Sequence, residues 1–199
     1  MKELERYLQK KILPDLEKGR PDFDKPHTIS VVAKLKEILQ NSPEIQIDYP
    51  VLLIAAYAHD WGYVGLPFCN DQSQRYLQVL RAKKEHMRLG KKKISKLLEN
   101  SFFSFLTQKQ KARCVYLVAI HDKLDLLKDT DELILMEADT LGALDLDFVK
   151  PTFDFESNKR YVEGVKRRRL PKFITKFGKK EAVRLLRLRE EYYEKKNEK

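Results

Sequence analysis

Four histidines and two aspartates in this sequence are of the types, and at the spacings, that can bind a metal ion. His59 and Asp60 are adjacent and follow the apolar run VLLIAAYA, which begins at Val51. A carboxylate directly after a buried segment is costly unless it is paired, hydrogen-bonded or bound to a metal. The complete set of candidate ligands is His27, His59, Asp60, His86, His121 and Asp139. Imidazoles and carboxylates without thiolates suit Zn, Mn, Fe or Ni.

Each candidate ligand lies near one end of a predicted helix, on or beside the apolar face. His27 precedes Val31 by one helical turn, and His121 ends the apolar run VYLVAI. By itself, a histidine at a helix end is more often a cap or a surface group than a ligand, and Asp139 alone would be taken for a solvated residue. The occurrence of all six residues in one helical pattern favours a shared metal site.

Helical periodicity dominates the chain and predicts an all-α fold. Helices are expected over residues 28–39, 49–61, 74–100, 107–121 and 129–144, with the intervening residues 64–70 and 151–157 as loops. The helix over residues 49–61 is apolar nearly all round, which is typical of a central buried helix. A break is expected near Gly90 in the long helix.

Two capping-box patterns support the starts of the later helices. Thr107 is followed three residues later by Gln110, and Asp129 by Glu132. In such a box, the two side chains satisfy backbone N–H groups that the first helical turn leaves without partners. The sequence therefore predicts helix starts at Thr107 and Asp129.

The positive charge is concentrated at the C-terminal end of the chain. Residues 159–199 contain 16 Lys and Arg but only 6 Asp and Glu, whereas the preceding residues have 24 of each class. Residues 1–157 are therefore predicted to form one domain, followed by a basic helical extension over residues 158–199, interrupted at Pro171 and Gly178. Because all six candidate ligands precede Asp145, the extension is expected to be dispensable for metal binding.

The extension also carries apolar residues, which suggest that it docks on the core or on a second subunit. These residues are Leu185, Leu186, Leu188, Tyr192 and Tyr193. Its basic residues would alternatively attract the phosphate backbone of a nucleic acid. Docking is the interpretation that the apolar residues favour.

The composition favours a soluble globular protein with a cytoplasmic location and no membrane partner. Of the 199 residues, 42% are hydrophobic and 35% are charged, and the longest strictly apolar run is far shorter than a membrane span. The N-terminal sequence MKELERYLQKK lacks the apolar stretch of a signal peptide. Cys69 and Cys114 have no CxxC spacing, so they predict neither a disulfide framework nor a zinc site.

The order of the candidate ligands along the chain carries a family resemblance. His27, the pair His59-Asp60 in AHDWGY and Asp139 in MEADTLGALD follow the order H…HD…D. In this order they resemble the signature of the HD superfamily of metal-dependent phosphohydrolases. The resemblance covers about residues 26–145.

Two further histidines resemble the additional ligands of the binuclear branch, typified by HD-GYP phosphodiesterases. His86 lies in EHMRLG and His121 in VAIHDK. That branch often has two adjacent histidines where this chain has His121-Asp122, and its GYP element is not seen here.

The resemblance implies an HD-domain helical bundle that holds one or two divalent metals, chosen from Mn, Fe, Ni, Co, Zn and Mg. It implies that the first metal is held by His27, His59, Asp60 and Asp139. In binuclear members the aspartate of the HD pair bridges both metals, and His86 and His121 would hold the second. Asp60 and His59 are the expected catalytic residues. The substrate is expected to be a nucleotide or another small phosphorylated compound, cleaved by metal-activated water.

Other side chains near the predicted site have weaker claims to a role. Lys83, Lys84, Lys123 and Lys34 could contact phosphate, although each is more often a solvated lysine. Asp122 could accept a hydrogen bond from a ligating imidazole.

The two aromatic residues that follow Asp60 also have two interpretations. Trp61 and Tyr63 could stack on a nucleobase, but packing beneath the metal site is the more frequent role of such residues.

Two other functions are compatible with the sequence. The chain could be a non-catalytic HD domain that senses a nucleotide, or a nucleic-acid-associated protein that uses its basic extension. The sequence leaves open the substrate, the metal and the oligomeric state.

Overall fold

The computed structural model describes residues 1–69 and 71–197, which contain eight α-helices and no β-strand. The helices are α1 (Lys2–Leu16), α2 (Asp24–Gln40), α3 (Tyr49–Ala58), α4 (Gln72–Leu97), α5 (Gln108–Ile120), α6 (Thr130–Leu144), α7 (Phe155–Gly164) and α8 (Lys176–Asn197). The all-α prediction is therefore confirmed for this part of the chain. Helix α1 adds an element that the sequence analysis did not assign. None of these helices combines the length and apolarity needed to cross a membrane.

Helix α3 lies at the centre of the fold, as its apolar sequence predicts. Every side chain from Val51 to Ala58 is buried, and the helix packs against α1, α2, α5 and α6. The side chain of Asp48 caps its N-terminus by accepting a hydrogen bond from the N–H of Val51 at 3.3 Å. The helix ends at Ala58, and a 3₁₀ turn over Trp61–Tyr63 follows. His59 and Asp60 thus lie in the bend between the helix and this turn.

Two glycines allow the close backbone contacts that bring the candidate ligands together. A Cβ atom on Gly62 would lie 1.7 Å from the carbonyl oxygen of His86, so only glycine lets the 3₁₀ turn pack on α4. A Cβ atom on Gly142 would lie 2.8 Å from the backbone nitrogen of Val31. The second contact holds α2 against α6, the helices that carry His27 and Asp139.

Both predicted capping boxes are present. Gln110 N–H donates to Thr107 Oγ1 at 3.2 Å, and Thr107 N–H donates to Gln110 Oε1 at 2.8 Å. The reciprocal pair of bonds also links Asp129 and Glu132 at the start of α6. These local signals fix the starts of the two helices that end at or carry a candidate ligand.

Two predicted helix breaks are wrong. Helix α4 continues through Gly90, which is buried and packs close to Val118, so its missing side chain serves close packing rather than a bend. Helix α8 likewise continues through Gly178, which lies in its first turn and donates its N–H to Thr175 Oγ1 at 2.8 Å. Pro171 does fall in a short 3₁₀ turn between α7 and α8. Of the predicted loop over residues 64–70, residues 64–69 lack helix, and Asn70 lies outside the described residues.

The described part of the C-terminal extension packs on the core of the same chain. Helix α8 contacts α6. The buried Arg189 donates from Nε to Asn158 Oδ1 at 2.7 Å and from Nη1 to the carbonyl oxygen of Ala143 at 2.8 Å. The buried carboxylate of Glu137 accepts hydrogen bonds from the N–H of Thr175 at 3.0 Å and from its Oγ1 at 2.5 Å. These polar contacts fix the extension relative to α6.

Candidate metal centre

The six candidate ligands converge in the interior as two groups of three. The first triad is His27, His59 and Asp139, and the second triad is Asp60, His86 and His121. Within each triad the possible ligand atoms lie within 4.8 Å of one another, and all six residues are buried. They come from α2, from the bend after α3, from α4, from the C-terminus of α5 and from α6. Five separate segments therefore supply one site.

In the first triad, nitrogen and oxygen atoms face a common point. His27 Nε2 lies 3.1 Å from His59 Nε2 and 3.1 Å from Asp139 Oδ1. His59 Nε2 lies 3.7 Å from the same Asp139 oxygen. Metal bonds of about 2.0–2.2 Å would place neighbouring ligand atoms about 3–3.6 Å apart. The spacing of this triad thus fits a divalent transition metal.

The second triad has the same spacing. His86 Nε2 lies 3.2 Å from His121 Nε2. These two atoms lie 3.6 Å and 3.4 Å, respectively, from Asp60 Oδ1. The second triad can therefore hold a metal by the same geometric criterion.

The carboxylate of Asp60 faces both triads at once. Its Oδ1 belongs to the second triad, whereas its Oδ2 lies 3.4 Å from His59 Nε2 and 3.5 Å from His27 Nε2. The two oxygens of one carboxylate thus point to two neighbouring ligand groups. This is the arrangement that a bridging carboxylate requires.

Backbone carbonyl groups contact the Nδ1 atoms of three of the four histidines, whereas the buried His27 Nδ1 has no hydrogen-bond partner among the described residues. His59 Nδ1 lies 2.8 Å from the carbonyl oxygen of Ala56, and His121 Nδ1 lies 3.0 Å from that of Val118. A carbonyl oxygen only accepts, so each of these Nδ1 atoms carries a hydrogen, and Nε2 is the nitrogen that presents a lone pair to the site once the imidazole is neutral. His86 has a longer contact of this kind, 3.4 Å, to the carbonyl oxygen of Ala82. The donor set therefore fits a metal ion, which can bind the facing lone pairs.

The charges of the site shift the pKa values of its members. Burial lowers the pKa of His59, but the carboxylates of Asp60 and Asp139 outweigh this effect and raise it to about 9. Burial raises the pKa of Asp60, and the opposing charges of His59 and Arg20 hold it well below its usual range. Burial together with the charge of His121 lowers the pKa of His86 to about 4. His86 is thus neutral, as a metal ligand must be, and Asp60 is ionised.

Arg20, in the loop between α1 and α2, is a cation of the site that the sequence analysis did not identify. Its Nη2 donates to Asp60 Oδ2, and its Nε donates to Asp24 Oδ1 at 2.6 Å. Its guanidinium also covers the ring of Tyr63, 3.8 Å from the ring centroid. The only cue in the sequence is its position a few residues before His27.

Arg169 is the second cation that the sequence analysis did not identify. It comes from the C-terminal extension and contacts Asp139 and Asp122. Asp122 Oδ1 accepts from Arg169 at 2.7 Å and from Lys83 at 3.3 Å, whereas its Oδ2 lies 3.9 Å from His86 Nε2, which is too far for a hydrogen bond. No local pattern could have singled out Arg169 among four consecutive basic residues.

The candidate lysines lie at different distances from the site. Lys83 lines the cavity over the two triads, whereas Lys84 and Lys123 are exposed and do not line it. Lys34 is buried in an ion-pair network with Asp145 at 2.9 Å and Glu181 at 3.1 Å. Only Lys83 is therefore placed to meet a ligand in the cavity.

The aromatic residues after Asp60 are packing groups. Tyr63 is buried and stacks on His86. Trp61 donates from its indole N–H to Asp15 Oδ2 at 2.6 Å. Neither ring is presented as a platform for a nucleobase.

A cavity of about 160 Å³ lies directly over the two triads. Its walls combine acidic, basic and aromatic side chains, among them Asp60, Asp139, Arg20, Lys83, Arg168, Arg169, Tyr76 and Phe153. A wider depression of about 690 Å³ adjoins it and shares Arg20 and Phe23 as lining residues. The cations make this entrance attractive to anions.

A third acidic group near the start of α6 differs from the two triads. Asp129, Asp131 and Glu132 lie close together, but Arg113 pairs with all three of them, at 3.0, 2.5 and 3.0 Å, respectively. The guanidinium already contacts a carboxylate oxygen of each of these residues, and the group contains no histidine.

Comparison of the chain with protein-family models, with curated proteins and with solved structures gives no match. What the site does is therefore inferred from its geometry and its chemistry.

Proposed function

We propose that this protein is a metal-dependent phosphohydrolase of the HD superfamily, acting on a nucleotide or another small phosphorylated compound. The observation that carries the proposal is the placement of Asp60, whose two oxygens face two separate triads. Metal pairs that share ligands are a recurrent device for phosphoester hydrolysis. The ordered sequence pattern H…HD…H…H…D supports the same conclusion.

Divalent metals bound at the triads would polarise phosphoryl oxygens and lower the pKa of a coordinated water. The chain contributes the positions and charges of the ligands. The carbonyl groups of Ala56 and Val118 aim the imidazoles of His59 and His121 inwards. The charge of Arg20 helps to keep the pKa of Asp60 low, so that this carboxylate is ionised.

The size of the cavity is consistent with a substrate whose phosphorylated end is small. A volume of about 160 Å³ is smaller than the roughly 300–1,000 Å³ of pockets that enclose a whole drug-sized ligand. It suits a phosphate group with a small attachment, and the rest of a nucleotide would extend into the adjoining depression. Arg20, Lys83 and Arg168 supply positive charge along this route.

The proposal is tested by metal analysis followed by a screen for phosphate release. The purified protein is loaded separately with Mn, Fe, Co, Ni, Zn or Mg and offered nucleotides, cyclic dinucleotides and phosphomonoesters. We expect up to two metals per chain and metal-dependent hydrolysis of at least one class. A metal-loaded protein that hydrolyses none of these compounds would contradict the proposal.

The same screen distinguishes the alternative functions. Tight binding of a nucleotide without turnover would identify a sensor rather than a hydrolase. Salt-sensitive binding of nucleic acid would favour the role of the basic extension. Arg169 and Arg189 would not take part in such binding, because they are turned towards the core and bonded there.

A further inference from the structure

Arg169 connects the C-terminal extension to the candidate metal centre. Its side chain is only 12% exposed. Its Nη1 donates to Asp139 Oδ2 at 2.8 Å and to Thr140 Oγ1 at 3.0 Å. Its Nη2 donates to Asp122 Oδ1 at 2.7 Å. One guanidinium thus joins α6, which carries Asp139, to the bend after α5, which follows His121.

The two oxygens of Asp139 have different partners. Asp139 Oδ2 accepts from Arg169, whereas Oδ1 lies 3.1 Å from His27 Nε2 and 3.7 Å from His59 Nε2. A free carboxylate rotates about its last bond, and a fixed Oδ2 prevents that rotation. Hydrogen bonds of this kind commonly orient metal ligands and contribute to metal affinity.

The local backbone selects Arg169 from a run of basic residues. The segment Val165–Arg169 forms a π-helical turn at the end of α7, a conformation found mostly as single turns and often at functional sites. Lys166 and Arg167 are exposed in this turn, whereas Arg169 reaches the interior. The 3₁₀ segment Leu170–Lys172, which contains Pro171, follows the turn directly.

Electrostatics agree with the contact geometry. Burial raises the pKa of Asp139, but the charge of Arg169 is the largest opposing influence, followed by the hydrogen bond from His27, and the pKa falls well below its usual range. The guanidinium therefore favours the ionised form that a metal ligand needs.

We propose that Arg169 is a positioning residue of the metal centre and makes the C-terminal extension a part of it. The inference rests on the proposed function only in requiring that the two triads bind metal. It replaces the expectation that the extension is dispensable for metal binding. A chain that ends near residue 157 would lose Arg169 and the partner of Asp139 Oδ2.

The test compares metal binding by the full-length variants Arg169→Ala, Arg169→Lys and Arg167→Ala, measured by calorimetry with Mn²⁺ and Zn²⁺. Arg167→Ala is the matched control. It removes the same charge from the same turn, but Arg167 is exposed. We expect Arg169→Ala to lower the affinity of the first site by about 10–100-fold, with helix content unchanged. Arg169→Lys should lose less, and added guanidinium ion should partly restore binding by Arg169→Ala. Arg167→Ala should bind metal as the wild type does.

Several outcomes would overturn the inference. One is an unchanged metal affinity in Arg169→Ala; another is an equal loss in Arg167→Ala. If Arg169→Ala does not fold, wild-type affinity in the folded Arg169→Lys variant would count against a requirement for the two-sided guanidinium contact. A wild-type protein that binds neither metal would also refute it. Metal binding without phosphate release in the wild type would instead refute the hydrolase proposal alone.

Discussion

The ring of Tyr63 lies flat on the imidazole of His86, with ring centroids 4.1 Å apart and planes inclined by 7°. Arg20 covers the opposite face of the tyrosine ring. The stacked rings hold the second triad in place from one side, and Gly62 allows the backbone to approach His86 closely enough for this contact. Tyr63, three residues after Asp60, therefore supports a ligand that comes from a different helix.

Loss of the stacking ring should weaken the second triad first. Tyr63→Leu removes the flat contact with His86, so we expect a metal content that falls from two towards one per chain. Tyr63→Phe keeps the stacking and serves as the control. Metal analysis after dialysis measures both, and equal metal content in the two variants would show that the stacking does not position His86.

His86 and His121 should act as one unit. Their Nε2 atoms face each other at 3.2 Å, so either substitution, His86→Ala or His121→Ala, should remove the second metal and leave the first. The double variant should then resemble each single variant in metal content. A wild-type stoichiometry that never exceeds one under saturating Mn, Fe or Ni would dismiss the binuclear interpretation.

Asp60 should be the most sensitive residue of the site, because its carboxylate faces both triads. Asp60→Asn keeps the shape and removes the charge. We expect a loss of metal affinity and of phosphate release greater than the roughly 10–100-fold typical of residues that only orient ligands. The exposed Asp125→Asn variant is the control. Unchanged metal content in Asp60→Asn would contradict a bridging role.

The six residues that come together at the candidate metal centre could be named from the sequence, because their signals are local. Helical periodicity and capping boxes place His121 and Asp139 at defined positions on their helices, and the buried run before His59 makes an unpaired carboxylate improbable there. The predicted break at Gly90 failed because tertiary packing against Val118 and the 3₁₀ turn overrides the low helix propensity of glycine.

The two guanidinium groups could not be predicted, because their contacts are distant in sequence. Arg20 and Asp60 are 40 residues apart, and Arg169 and Asp139 are 30 residues apart. Arg169 reaches the site because Val165–Arg169 forms a π-helical turn, and no residue pattern in VKRRR predicts this turn. The sequence analysis favoured docking of the extension, but it did not identify which basic residue would contact the site.

Close packing of α2 on α6 should be necessary for the first triad. Gly142→Ala would place a methyl group 2.7 Å from Val31 Cγ2 and 2.8 Å from its backbone nitrogen, so the helices must separate. We expect a loss of about 1–3 kcal/mol in the free energy of unfolding, together with weaker metal binding at the first site.

The matched control for this substitution is Gly164→Ala. Gly164 has helical backbone angles, and a Cβ atom there meets no atom within 4 Å. This change should leave metal binding unaltered and stabilise the protein by up to about 1 kcal/mol. Denaturant titrations and metal analysis of both variants test the pair. Equal stability and equal metal affinity would show that the approach of Gly142 to Val31 does not set the site.

The raised pKa of His59 predicts opposite effects of pH on stability and on metal binding. Burial lowers this pKa, but the neighbouring carboxylates raise it from 6.5 to about 9. A raised pKa stabilises the fold fully below pH 6.5, and this contribution is lost between pH 6.5 and pH 9. In a chelator-treated sample, the melting temperature should therefore fall across this window.

Metal affinity should rise across the same window, because a ligating imidazole must first lose its proton. Calorimetry at pH 7.5 in two buffers of different ionisation enthalpy should detect proton release on metal binding. A melting temperature that stays constant in chelator from pH 6.5 to 9, combined with no proton release, would contradict this assignment of the His59 charge.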